Sequence, residues 1–187
     1  MSQKAQLIDI QTVGTPFIVS SYQLSDGSLV NARIVDTGGQ ERFRALGHQY
    51  YRKANGCLLV YDITNRSSLD EIKSYFCEQI EEKCKKHIKI ILLGNKTDLE
   101  ENREVSSEEG ANFALENGYT FLETSCLKNR NVADSFETLI ELTYEKALER
   151  RNANISEKPP LYIQKAEYSS SSDEEGCCLC RVCEKLY

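Results

Sequence analysis

Two stretches constrain the fold more than any other part of the chain: Cys57-Leu58-Leu59-Val60-Tyr61 and Ile88-Lys89-Ile90-Ile91-Leu92-Leu93. The first is apolar throughout and the second is broken only by Lys89. Short runs without polar alternation belong to strands buried on both faces, as in a parallel sheet covered by helices on either side. The second run ends in Asn95-Lys96-Thr97-Asp98, and an earlier strand-like run, Ala32-Arg33-Ile34-Val35, ends in Asp36-Thr37-Gly38-Gly39-Gln40-Glu41. Both polar clusters therefore fall where strands of an open α/β sheet finish, which is where such sheets bind ligands.

The remaining elements follow from turn and cap chemistry. Phe17 to Leu24 and Leu29 to Val35 read as strands of a hairpin turning at Ser25-Asp26-Gly27-Ser28. Ser67 or Ser68 can cap a helix that carries Leu69, Ile72, Phe76 and Ile80 at helical spacing. Ser106 and Glu109 form a capping box, and the helix they open meets a stop at Asn117-Gly118. Tyr119 to Glu123 reads as a short strand, and Val132, Phe136, Leu139, Ile140 and Ala147 mark a last amphipathic helix. Alternating strands and helices predict an α/β, doubly wound, mostly parallel sheet with one antiparallel hairpin strand. The domain is expected to span 1–150. Residues 151–187, with Pro159-Pro160, Ser169 to Ser172 and Asp173-Glu174-Glu175, read as a disordered tail.

Composition excludes several classes. A net charge of −6 gives no basic footprint for nucleic acid. No run approaches the ~18 apolar residues of a membrane span, and Met1 to Leu7 has no signal-peptide core, so a cytoplasmic location is expected. Of the eight cysteines, Cys57, Cys77, Cys84 and Cys126 read as reduced thiols, while Cys177, Cys178, Cys180 and Cys183 crowd the tail. A lone cluster lacks the second pair of a zinc framework, so lipid attachment is the better reading, with zinc left open. His48 and His87 read as surface or structural residues, and Glu78 to Lys86 as a solvated helix face.

The residues Asp36 to Leu46, Tyr50-Tyr51-Arg52, Leu59 to Thr64, Asn95 to Leu99, Arg103 to Ser106, Glu123-Thr124-Ser125 and Asn131-Val132 resemble the Rab branch of the Ras-like small GTPases. The resemblance covers roughly Thr12 to Arg150. It implies a guanine-nucleotide switch of intracellular membrane traffic that uses GTP, GDP and Mg2+, with effectors and regulators meeting a face around Phe43 and Tyr50-Tyr51. Asp98 would accept from the guanine ring N–H and amine, Asn95 would tie the base loops together, and the Lys96 stem would cover the ring. Ser125-Cys126-Leu127 resembles the second base loop, with Cys126 in place of the usual alanine and its backbone N–H toward the guanine carbonyl. Asp36 and Thr12 would serve magnesium, the Gly39 N–H would sense the γ-phosphate, and Gln40 would orient the attacking water. Gly38 stands where the family usually has alanine, and Thr15-Pro16-Phe17 replaces its Val-Asp-Phe. Cys177 and Cys178 resemble the paired prenylation cysteines, although nine residues follow them, and would make the protein peripheral on intracellular membranes.

The 187 residues contain no Gly-x-x-x-x-Gly-Lys-Ser/Thr. In the family a first strand, this phosphate loop and a helix precede the switch threonine by about 35 residues. A Ras-like fold missing its first strand and helix is therefore expected, with Leu7 to Ile10 a possible strand that cannot reach Thr12 by the family's route. Little or no GTP hydrolysis is expected of the chain as it stands. Three readings stay open: a Rab-type switch whose first ~30 residues lie outside these 187, a nucleotide-free binding module that keeps the effector face, and a damaged product that does not fold.

Overall fold

The computed structural model describes residues 4–9, 18–36, 52–84 and 87–153. Six strands form one sheet: β1 (Lys4–Asp9), β2 (Ile18–Gln23), β3 (Leu29–Asp36), β4 (Gly56–Asp62), β5 (Lys89–Asn95) and β6 (Thr120–Glu123), in the order β2-β3-β1-β4-β5-β6. The helices are α1 (Arg66–Glu71), which continues through a π-turn over Ile72–Phe76 into α2 (Cys77–Lys83), then α3 (Ser107–Glu116) and α4 (Val132–Ala153). The doubly wound α/β class expected from the sequence is the observed one.

The two apolar runs are the parallel centre of the sheet, with β4 and β5 in register from Gly56↔Lys89 to Asp62↔Asn95. Their side chains alternate between faces. Cys57, Leu59, Tyr61, Ile90 and Leu92 join Leu69, Ile72, Phe76, Ile80 and Ala114 under α1, α2 and α3. Leu58, Ile91 and Leu93 join Phe136, Leu139, Ile140 and Tyr144 of α4 on the other face. Both faces being buried explains why neither run alternates in polarity. Gly56 permits the close approach of α4: a Cβ there would lie 2.9 Å from Thr143 Oγ1 and 3.0 Å from Leu139 Cγ.

The middle of the sheet differs from expectation. Lys4–Asp9 occupies the position between β3 and β4, antiparallel to both, with Leu7 opposite Val35 on one side and Cys57 on the other. The strand foreseen at Leu7 to Ile10 thus lies slightly earlier and fills the gap expected there. β3, β4, β5 and β6 run one way while β1 and β2 oppose them, so two strands rather than one are antiparallel. β1 ends level with Arg33 and β2 begins level with Ile34, one on each side of β3. Those two ends lie roughly 10 Å apart at ordinary strand spacing. The strand supplies partners to backbone groups of β3 and β4 that would otherwise be buried unpaired.

Local signals were mostly realised. The hairpin turn places Gly27 at φ 82°, and Asp26 Oδ1 accepts from the Ser28 N–H at 2.8 Å. Gly118 ends α3 at φ 69°. Asn65, not Ser67 or Ser68, caps α1, its Oδ1 accepting from the Ser67 N–H at 3.1 Å. Ser68 instead turns inward, its Oγ donating to Asn65 O and accepting from the Asp62 N–H. Only half of the Ser106–Glu109 capping box forms. Ser106 Oγ accepts from the Glu109 N–H at 3.1 Å, but the Glu109 carboxylate pairs with Arg66 and Lys73. Helix α4 runs to Ala153, just past the expected domain boundary.

Candidate functional site

Because β3, β4, β5 and β6 share a direction, Asp36, Asp62, Asn95 and Glu123 end their strands along one edge of the sheet. That edge carries a loop cluster joined by hydrogen bonds between segments distant in sequence.

Asn95 is buried where β5 ends. Its Oδ1 accepts from Thr124 Oγ1 at 3.2 Å, and its carbonyl accepts from the Ile63 N–H at 3.1 Å. Thr97 reaches the same neighbour, donating to Thr124 O from its backbone N–H at 3.1 Å and its hydroxyl at 3.2 Å. The loop after β5 is thereby fixed to the loop after β6.

Asp98, in the 3₁₀ turn Thr97–Asn102, accepts at Oδ1 from Ser125 Oγ at 2.5 Å. Ser125 is fully buried, and its hydroxyl also accepts from the Lys128 N–H at 3.0 Å. Backbone bonds between Ser125 and Arg130 at 3.1 and 2.8 Å close the loop into a narrow turn. Asn129 within the turn at φ 47° and Asn131 just after it at φ 56° lie in the left-handed region that asparagine tolerates better than most residues. Asp98 Oδ2 has no hydrogen-bond partner among the described residues and so keeps acceptor capacity. Leu127 is exposed at the loop tip and Cys126 is half-buried beside it.

Lys96 adopts φ 70°, ψ 36°, turning the chain back across the strand ends. Its Nζ lies 2.7 Å from Asp62 Oδ2. Asp62 Oδ1 accepts from the Thr64 N–H at 2.9 Å and Thr64 Oγ1 at 2.7 Å. Burial pushes the Asp62 carboxyl up, but the hydrogen bonds from Lys96 and Thr64 outweigh it and hold the group below the usual carboxylate range. Asp62 was quoted in the sequence only as part of a resemblance. The signal that could have given it a role is its place at the end of a buried strand, level with Asn95.

The structure therefore brings together Asn95, Lys96, Asp98, Ser125, Cys126 and Leu127. Thr12, Gly39, Gln40, Cys177 and Cys178 lie outside the described residues, and of Asp36 only the strand position, opposite Gln6, is described. Among the described residues no cluster of His, Cys, Asp or Glu could hold a metal ion. Asp36, which the resemblance would give to magnesium, ends β3 at this edge.

The Ras family model matches residues 3–145. The chain belongs to the Ras family. Its relatives place it in the Rab branch of that family: it is 44% identical over 130 residues to the Ras-related protein Rab-8B of Homo sapiens. It is 43% identical over 143 residues to Rab-8A of Bos taurus and 41% identical over 145 residues to Rab-8 of Diplobatis ommata. These alignments take in 70%, 75% and 78% of this chain. The Rab-type chain spans 62% of the length of Rab-8B and 68% of the other two.

Proposed function

We propose that this Rab-type chain binds guanine nucleotide at the edge formed by the ends of β4, β5 and β6, and acts as a molecular switch in intracellular membrane traffic. The single observation that carries the reading is the Asp98–Ser125 hydrogen bond, together with a free Asp98 oxygen among the described residues. Guanine presents a ring N–H and an exocyclic amine side by side, and a carboxylate fixed in orientation accepts from both. Asn95 holds the two loops in place, the Lys96 stem covers one ring face, and the Cys126 backbone N–H meets the guanine carbonyl.

GTP and GDP are the proposed ligands, with Mg2+ at Asp36 and Thr12, the Gly39 N–H at the γ-phosphate and Gln40 orienting water for hydrolysis. Magnesium would neutralise developing phosphate charge, while this chain's own described residues bind and orient the base. The face around Phe43 and Tyr50-Tyr51 is proposed to meet effectors and regulators, and lipids on Cys177 and Cys178 to hold the protein peripherally on intracellular membranes. Among the described residues no helix is long and apolar enough to cross a membrane.

A second reading, a binding module that works without nucleotide, draws on β1. That strand lies antiparallel between β3 and β4 and pairs with both. Titration with a fluorescent guanine nucleotide separates the two. Binding by the purified chain that Asp98→Asn weakens, with relaxed preference for guanine over adenine, supports the base site. No binding, with a cooperative unfolding transition retained, leaves the module. The 187-residue chain is expected to turn GTP over slowly or not at all, and turnover abolished by Gln40→Leu is the opposite outcome.

A further inference from the structure

We infer that Asp62 is a positioning residue for guanine recognition: it anchors the Lys96 ammonium so that the lysine stem lies across the strand ends before a base arrives. The inference rests on the guanine-site reading above and assigns it a residue from a different strand. Lys96 turns back at φ 70° directly after the buried Asn95, and Asn95 is level with Asp62 across the parallel β4–β5 pair. The 2.7 Å contact between Lys96 Nζ and Asp62 Oδ2 therefore runs sideways over the ends of two adjacent strands.

Asp62 is itself immobilised on the other side of its carboxylate. Two donors on Thr64 occupy Oδ1, and the Asp62 N–H donates to Ser68 Oγ at 2.9 Å. Lys96 thus pairs with a carboxylate whose orientation is already set. Both side chains are about one-fifth exposed, so the pair is shielded more than a surface ion pair yet open at one side. A lysine side chain has four rotatable bonds, and ordering it at the moment of binding subtracts from affinity. A stem already tethered at its far end presents its methylene groups to the ring face at little further ordering cost. Asp62 touches no edge of the base in this arrangement, so it should alter how tightly a purine ring is held and leave the choice among purines to Asp98.

The test is a double-mutant cycle on the full chain with Asp62→Asn and Lys96→Met, read by titration with fluorescent GDP and IDP. Asparagine keeps an acceptor for Thr64 and removes the charge facing Lys96. Asp62→Asn is expected to weaken GDP and IDP alike by about tenfold, the scale of one charge-assisted contact, and to have no further effect in the Lys96→Met background. Urea unfolding of each variant reports fold integrity. A Thr64→Val variant, which removes the hydroxyl donor to Oδ1 but keeps the Thr64 N–H donor and the ion pair, is expected to lie between wild type and Asp62→Asn. GDP binding unchanged by Asp62→Asn overturns the proposal alone, as does an equal loss in the wild-type and Lys96→Met backgrounds. Absence of GDP binding by the wild-type chain overturns the guanine site and this proposal with it.

Discussion

Ser125 Oγ donates a 2.5 Å hydrogen bond to Asp98 Oδ1, joining two loops that are 27 positions apart in the chain. Each loop follows a strand of the parallel sheet, β5 for Asp98 and β6 for Ser125. Ser125 is fully buried and also receives the Lys128 N–H. Its replacement by alanine deprives Asp98 of a donor and Lys128 of an acceptor at once. Ser125→Ala is expected to destabilise the fold by about 2 kcal/mol, the cost of a hydrogen bond to a charged group plus an orphaned backbone donor. Urea unfolding measures that loss. Guanine-nucleotide titration should show about tenfold weaker binding beyond it. Unchanged affinity in a destabilised variant would separate loop stability from base recognition.

Tyr61 presents a different balance. Its hydroxyl is buried with no hydrogen-bond partner among the described residues. It lies where a Cβ on Gly94 would come within 2.8 Å and one on Gly110 within 2.4 Å. Burial pushes the phenol far above its ordinary pKa, so the group stays neutral. Tyr61→Phe removes an unsatisfied polar atom without changing the ring and is expected to be neutral or stabilising by up to about 1 kcal/mol. Gly94→Ala is expected to cost about 1–3 kcal/mol through overpacking, and less in the Tyr61→Phe background because the closest contact is with the hydroxyl oxygen. Thermal unfolding of the two single variants and the double variant reads the coupling. Strict additivity of Gly94→Ala and Tyr61→Phe contradicts the contact.

How much of this was legible in the sequence depended on whether the determinants were local. β4 and β5 could be read because burial on both faces leaves an apolar run that needs no partner to recognise. Asn95, Lys96, Asp98 and Ser125 could be singled out because they sit in short motifs that resemble a family's and follow strand ends, and the structure brings them to one edge. Asp62 was missed as a participant because its role depends on Lys96, 34 positions later, bending back over β4. The central position of Lys4–Asp9 was missed for a related reason: pairing direction is decided by where the neighbours begin and end, not by the strand's own residues. The cap of α1 was misassigned because Ser67, Ser68 and Asn65 are all competent caps, and the inward turn of Ser68 toward Asp62 and Asn65 decided among them.

Acid should expose the Asp62–Lys96 pair. The native Asp62 carboxyl gives up its proton below the unfolded-chain value of about 3.9. The native state therefore binds fewer protons there than the unfolded chain does. The resulting stability is fully present above the unfolded value and is lost as pH falls through the lower, folded one. Glu100 and Glu109, also held low by hydrogen bonds from Arg103 and Arg66, add to the acid sensitivity of the whole chain, so the comparison must be with a variant. Urea midpoints of wild type and Asp62→Asn are expected to differ most at pH 6 and to converge toward pH 3. A gap between them that stays constant over that range contradicts the ion pair.

The core thiols offer a check on packing that does not involve nucleotide. Cys57 is fully buried on β4, where burial first and the neighbouring Cys84 and Cys77 second push its thiol far up. Cys84, half-buried after α2, is raised by burial to about 11. Thiolate is the reactive form, so at pH 8 only roughly 0.1% of Cys84 is available to an alkylating agent. The greater nucleophilicity of a more basic thiolate recovers part of that loss, leaving Cys84 about tenfold slower than an unperturbed cysteine before access is considered. Each unit of pH between 8 and 10 should speed it about tenfold. Cys57 has no such route, because its sulfur is enclosed by β4, β5 and the helices above them, and it should react only at the rate of unfolding. Iodoacetamide labelling read by peptide mass spectrometry gives the order, with Cys84 before Cys57 in native protein and both fast in urea. Labelling of Cys57 as rapid as that of Cys84 without denaturant contradicts the packing of β4 against α1 and α2.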